Sequence, residues 1–551
     1  MKLLTILLAL FNIYNMNIVV YNLNANETPD LYNKFKEEVY AQSNAEINPS
    51  VTYEIRLSAG NYIVSKDLEF KCNVRIIGEK GTKVSVTNFS NLNDDGLIRV
   101  KGLANKKLKL EVRDVEFDVA EQTLSVSAER FYFKAVHCDS VAFRNISIHL
   151  QDYNSLTNID IRCCSNILVE NCVLTNYNNS GEGGVLWIRG NTSNVHIKNN
   201  TIRKHGNDEA IAIWGSGNTG ESVESVNKQN ILIENNRFEY GQPGGYPSYV
   251  VNKFITLFEN PSDREIPYRW SNVEISNNYF EISDLTKNLI YLSFGQPDTT
   301  VEGVRIENNT IRHLSDSNNT GYIYTGENDY ERDIVVLSKS DNDVYVRIQN
   351  NEVVANHLDE SQLGNIPAGK YVHLVVDGAR VMYESNKLNA NKVLFADILS
   401  MGGELDIKNN DIRGLSMLCR ASLSSTSTDS ILPVTLNIHN NKIEGDTRIF
   451  SRKVERLDLC LSNNQFISDT YYLLLQNFGN MGSMIARNNI WGRSVKNINT
   501  NATIFGITES STYQFEKIVF VGNIFESYTQ SQISALPSAT TKIVENNVYK
   551  Q

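Results

Sequence analysis

The chain has 551 residues, 41% hydrophobic and 21% charged, which excludes a disordered or low-complexity chain and leaves room for a large core. Its 63 acidic residues outnumber 52 basic ones, a net charge of −11, so no basic field gathers a phosphate backbone and nucleic acid is excluded as a partner. Only 10 Pro stand against 26 Tyr and abundant Asn, Val and Ile, a composition that leans to strands with Asn at the turns.

Residues 1–25 begin with Lys2, run through the apolar stretch Leu3 to Phe11 and reach Leu23-Asn24-Ala25. This reads as a secretory signal peptide with a weak small-residue cleavage site, too short and too interrupted by Asn for a stable membrane span. No later segment reaches about 18 apolar residues. The expected location is secreted, periplasmic or cell-surface. Residues 26–50 form a separate N-terminal segment, in which Leu31, Phe35 and Val39 among Glu and Lys fit an amphipathic helix. The seven Cys (Cys72, Cys138, Cys163, Cys164, Cys172, Cys419, Cys460) are an odd set without a C-x-x-C pair. They fit buried apolar positions better than a zinc finger or a dense disulfide framework.

From residue 51 onward a chain of this length would divide into several domains at roughly 150 residues each, yet no linker or composition shift separates them. A repeat explains this. The unit reads apolar-x-apolar-polar-Asn-Asn-x-apolar, as in Val195-His196-Ile197-Lys198-Asn199-Asn200-Thr201-Ile202 and Ile231-Leu232-Ile233-Glu234-Asn235-Asn236-Arg237-Phe238. The doublet recurs at 277–278, 308–309, 350–351, 409–410, 440–441, 463–464, 488–489 and 546–547, with degenerate copies at Asn145, Asn171, Asn386 and Asn523. A minimum step of about 23 residues is too short for a private core, so each copy must lie on its neighbours in one solenoid of roughly fifteen coils. The apolar period of two makes the pieces strands rather than helices. Asn at the bend tolerates left-handed backbone angles, and stacked Asn side chains would form a ladder.

Short strand coils with Asn at a fixed bend resemble the pectate-lyase-like superfamily, over roughly residues 50 to 551. Tyr53-Glu54-Ile55-Arg56-Leu57-Ser58-Ala59-Gly60-Asn61-Tyr62 and Val74-Arg75-Ile76-Ile77-Gly78 are similar to that family's opening strands. The resemblance implies an all-β, single-stranded right-handed parallel β-helix, with residues 30 to 45 as the helix that caps its open end. An uncovered apolar end would aggregate, so a cap is expected on physical grounds as well.

Surplus residues must leave such a stack as loops, and the long steps lie mainly between 200 and 386. Aligning Gly183 to Gly190 with Asp208 to Gly215 points Leu186, Ile188, Ile211 and Ile213 inward, and Trp187, Arg189, Ala212 and Trp214 outward. Phe258, Tyr291 and Tyr324 take similar outward positions in later coils. Pyranose rings stack well on such an aromatic row, unless loops fold over and bury it. The candidate substrate-binding residues are Trp187, Arg189, Trp214, Phe258, Arg264, Arg269, Trp270 and Tyr324.

The same alignment sets Glu182 beside Asp208, and two close carboxylates push their pKa values apart, as glycosidic hydrolysis requires. His205 to Gly215 is similar to the Asp-Asp coil of polygalacturonase-type hydrolases, although that family's Gly-His-Gly and Arg-x-Lys motifs have no clear counterpart here. A uronic-acid lyase would instead need a base and a cation, which Lys204, His205, Arg264 and Arg269 could supply. The candidate catalytic set is Glu182, Lys204, His205, Asp208 and Glu209. No cofactor motif is diagnostic; acidic loops such as Glu327-Asn328-Asp329 and Asp341-Asn342-Asp343 could hold Ca2+ but lack the Gly and distal Glu of a calcium loop. The other His, including His313 and His373, are scattered singly and fit structural roles. The expectation is an exported protein that binds and degrades an extended polysaccharide along the 182–330 face; the alternatives are a non-catalytic adhesin or a tailspike-type glycan reader, trimeric in the latter case.

Overall fold

Period-two alternation builds three strands per coil. In the first compact unit, Met1–Thr256, one coil is Leu186–Arg189, Thr192–Lys198 and Thr201–His205, and the next is Glu209–Trp214, Val226–Glu234 and Arg237–Tyr240. Each strand pairs in parallel with its counterpart one coil on: Leu186 with Ile211, Val195 with Ile231, Ile202 with Phe238. Inward residues therefore stack in columns such as Phe143, Val169, Ile197 and Ile233, all buried. This is a right-handed parallel β-helix, the hand that parallel crossovers adopt.

The computed structural model describes residues 17–40, 46–86, 96–119, 130–151, 156–177, 183–205, 208–215, 225–240, 251–259, 266–283, 286–296, 298–314, 331–339, 343–355, 371–422, 429–468, 473–475, 480–493, 505–507, 515–526 and 539–550. The second unit, Leu257–Gln551, is built the same way, with a column of Ile306, Ile348, Tyr383, Ile407, Ile438 and Leu461.

The Asn doublet divides two tasks that the sequence alone assigns to one residue. The first Asn turns the corner, with φ between 51° and 58° at positions such as Asn199, Asn308, Asn409 and Asn440. The second is buried and forms the ladder. In the second unit the backbone N–H and Nδ2 of Asn410 both donate to Oδ1 of Asn441, at 2.8 and 2.9 Å, and Asn441 donates likewise to Asn464. The ladder runs from Asn278 to Asn547. Where the doublet is incomplete the left-handed corner is kept by Ser385 (φ 57°) and Gly522 (φ 70°), ahead of Asn386 and Asn523.

At the start of the chain, Asn17–Leu23 is a strand paired in parallel with Asn48–Leu57, although these residues fall within the segment read as a leader. Cleavage after Ala25 would remove it. Leu31–Tyr40 is helical, with Leu31 and Phe35 buried and the Phe35 ring 6.1 Å from Phe70. Five of the seven Cys are buried and none is bridged. No helix among the described residues is long and apolar enough to cross a membrane.

Candidate functional site

The register expected from the final Gly of each strand is the register observed: Trp187 lies beside Ala212 and Arg189 beside Trp214. The alignment extends one coil back, where Asp160 pairs with Trp187 and Arg162 with Arg189. These side chains stand on the opposite strand face from Ile159, Ile161, Leu186 and Ile188, which fill the coil.

They do not form an open platform. Trp187 is only 3% exposed, packed edge-on against Trp214 (centroids 5.0 Å apart) and Phe131 (5.9 Å). The Arg189 guanidinium lies 4.5 Å from the Trp187 ring centre and 4.7 Å from that of Trp214, so a buried cation occupies the aromatic faces that a sugar would need. Its charge is answered by Asp160, fully buried, whose carboxylate is 3.0 Å from Arg189 Nε and 2.7 Å from Arg162 Nε. A Cβ on Gly184 would lie 2.0 Å from the Trp187 Nε1, so glycine there lets the indole pack down. Trp187 and Arg189 are thus corrected from substrate contacts to a packed aromatic and ionic cluster; Trp214, half-buried, is its outer member. Asp160, Arg162 and Phe131 were missed, although Ile159-Asp160-Ile161-Arg162 carries the same alternation as Leu186-Trp187-Ile188-Arg189.

Glu209 opens the strand that ends in Trp214, and Asp208 is the bend residue just before it. Asp208 adopts φ 103°, a left-handed angle that costs a non-glycine residue strain and that buried surroundings must enforce. Its Oδ2 accepts the Gly183 backbone N–H at 2.8 Å, and its side chain hydrogen-bonds that of Glu209. Burial, then the Glu209 carboxyl, pushes the Asp208 carboxyl well up, with Lys204 opposing. Lys204 itself is 0% exposed, because it shares the inward parity of Ile202 and stacks on Asn176 of the preceding coil. Asn176 in turn donates to Asn158 Oδ1 (3.0 Å) and the Gly184 carbonyl (2.8 Å), so the ammonium enters an interior lined by amides. Burial pulls its pKa down against the pull of Asp208 and Glu209. Lys253, which sequence reasoning did not single out, lies 3.3 Å from Glu209 and keeps a side-chain exposure of 25%.

Glu182, Arg264 and Tyr324 lie outside the described residues, as does the side chain of His205. So do Glu327-Asn328-Asp329 and the first two residues of Asp341-Asn342-Asp343. Among the described residues no group of three His, Cys, Asp or Glu side chains is placed to hold a metal ion.

The second unit holds the other candidates. Trp270 is buried and its Nε1 donates to Glu259 at 3.1 Å, so it is a structural anchor and not a sugar contact. Glu259, 4% exposed, also accepts from the Gln296 backbone N–H (2.6 Å) and Thr299 Oγ1 (2.9 Å). Burial pushes its carboxyl up to about 7 against these three donors. Phe258 is half-buried and Arg269 exposed. A network that the sequence did not reveal joins two of the scattered His: the buried Asp333 carboxylate meets His313 Nε2 (2.9 Å), His373 Nδ1 (2.7 Å) and the Tyr371 hydroxyl (2.6 Å). Burial alone would raise Asp333, but the two imidazoles hold it below the usual carboxylate range.

Strand order, parallel register and the Asn ladder define a right-handed parallel β-helix protein whose titratable cluster sits at the head of one outer-face strand. No family model and no curated protein matches the chain. Among solved structures it is similar to the catalytic domain of a GH87 α-1,3-glucanase in complex with nigerose, at 11% identity and a TM-score of 0.34, covering 90% of this chain and 69% of that one. It is also similar to DFA-IIIase from Arthrobacter chlorophenolicus A6 without its lid, at 11% identity and a TM-score of 0.31, covering 78% and 94% of the two chains. A mannuronic acid specific polysaccharide family 6 lyase from human gut microbiota shows 11% identity and a TM-score of 0.29, covering 94% of this chain and 88% of that one.

Proposed function

We propose that this is an exported carbohydrate-active protein that cleaves an acidic polysaccharide by proton transfer at Asp208. The observation that carries the reading is the pairing of the half-buried Asp208 with the buried Lys204, each driven by desolvation towards its neutral form, with Asp208 held in strained backbone geometry. A carboxyl poised nearer neutrality can exchange a proton with substrate, and the amine behind it can refill or drain that proton. The charged-then-apolar start of the chain supports export.

Between the two expected chemistries, β-elimination is favoured. Asp208 and Glu209 share a hydrogen bond, whereas glycosidases hold their carboxyls about 5 Å apart or more, to admit the sugar or a water. In elimination one group takes the proton beside the uronate carboxylate, the C–O bond to the leaving sugar breaks, and the departing oxygen is protonated. Lys253, reachable from solvent beside Glu209, supplies a cation for the enolate charge.

The complete burial of Lys204 favours a second reading, in which the pair is a structural plug and the protein only binds glycan, as an adhesin or tailspike does. One screen separates them: polyuronates and neutral glucans are incubated with the full chain, and unsaturated product and new reducing ends are recorded. The expected outcome is unsaturated product from a polyuronate, reduced about a hundredfold or more in Asp208→Asn with the fold intact. Undiminished turnover in both Asp208→Asn and Lys253→Met would remove the site assignment, and glycan binding without any product would establish the binder.

A further inference from the structure

A second feature of the first unit lies at the turns that follow the outer-face strands. Lys107, His137, Cys163, Asn191, Thr192 and Gln229 line a pocket there of about 530 Å³, within the range of small-ligand sites. Its chemistry differs from an ordinary apolar pocket. Six of its ten lining residues carry a hydroxyl or an amide, an ammonium and an imidazole are the ionisable nitrogen groups, and no carboxylate belongs to it. The nearest acid in contact is Asp139, 3.9 Å from Lys107 at the rim.

Two observations set these residues apart from ordinary turn positions. His137 and Cys163 occupy equivalent left-handed turn positions (φ 50° and 52°), where the next coil uses Gly190 (φ 69°). Glycine meets that geometry without strain, so an imidazole and a thiol stand there against local preference. The amides are also held in place: Asn191 Oδ1 accepts the Asn227 backbone N–H at 2.7 Å. Between the lining residues Asn227 and Gln229, Lys228 is fully buried with its ammonium on the carbonyls of Gly190 and Trp214, which adds positive potential behind the pocket.

We propose that this pocket is a non-catalytic binding site for a sugar carrying one negative charge, of the uronate type. Many hydroxyls on the ligand match the amide and hydroxyl lining, and its carboxylate matches Lys107 and His137. The site is independent of the Asp208 reading, since binding here requires no turnover.

Isothermal titration of the full chain with sodium glucuronate, glucose and inorganic phosphate tests it. Saturable binding of glucuronate is expected, with glucose and phosphate each much weaker. Lys107→Met should weaken it about tenfold or more, the loss of one charge-assisted bond. His137→Gly should weaken it as well while leaving thermal unfolding unharmed, because glycine suits that corner. Asp208→Asn should bind as the wild type does. Absence of saturable glucuronate binding, equal affinity for glucose or for phosphate alone, or wild-type affinity in both variants would overturn the proposal. Loss of binding in Asp208→Asn would also overturn it, by moving the ligand to the Asp208 cluster and leaving that reading standing.

Discussion

Replacing Asn410 by Ala tests whether the ladder or the strand pairing holds the coils together. Asn410 Nδ2 donates to the Tyr383 carbonyl (2.9 Å) and to Asn441 Oδ1 (2.9 Å), while its Oδ1 accepts both the Asn386 backbone N–H (2.7 Å) and Asn386 Nδ2 (3.3 Å). The substitution removes all four bonds but spares the Asn410 backbone N–H, which still reaches Asn441. Asn386 is buried, so its N–H loses its acceptor away from bulk solvent. One orphaned buried donor costs about 1–3 kcal/mol and the three remaining lost bonds about 1 kcal/mol each, so about 4–6 kcal/mol is expected. Because a solenoid unfolds in sections, the assay is hydrogen exchange at the Asn386 amide alongside urea denaturation. The control is Asn409→Gly: Asn409 has φ 58°, glycine accepts that angle, and the cost should stay within about 0.5 kcal/mol. A loss below about 1 kcal/mol with the Asn386 amide still protected, or equal losses in both variants, would refute the division of labour within the doublet.

Two further expectations concern the second unit. The Glu259 carboxyl rises from an ordinary 4.5 to about 7, so its protonated form is favoured by the fold. That contribution is complete below pH 4.5 and disappears as pH rises through 7, about 3 kcal/mol in all; denaturation from pH 4 to 8 should show it in the wild type and not in Glu259→Gln, and parallel profiles would contradict the assignment. Gly414 has φ 77°, and a Cβ would lie 1.6 Å from the Ala390 carbonyl oxygen, so Gly414→Ala should cost about 3 kcal/mol or more, read as a lowered melting temperature. A Cβ on Gly295 meets nothing within 4 Å, and Gly295→Ala melting as low as Gly414→Ala would show that space and backbone angle are not the cause.

The stacking was legible in the sequence because its cause is local and repeated. Asn at a bend and a period of two each leave a mark in a short window, and successive strands stop just before Gly190 and Gly215, so the register of Trp187 against Ala212 could be read directly. Burial of the outer face was not legible, since it depends on what the adjoining coils place beside each residue. Arg189 covers Trp187 because Asp160 pins it from the coil before. The amide-lined interior around Lys204 follows the same rule: Asn158 and Asn176 look like ordinary polar strand residues until coil stacking sets them under the ammonium.

Insertions widen the gap between what repeats and what does not. Steps of 42 and 35 residues surround Asn350, so His313, Asp333 and His373 stand far apart in the chain yet meet inside the coil. In a solenoid, then, sequence distance predicts contact only where the step is constant. The ladder stays regular and readable while the polar clusters that break the apolar columns collect where step length varies. The Lys204 and Asp208 cluster obeys this too. It lies within a step of 36 residues, between Asn199 and Asn235, where the coil has chain to spare for shaping a site.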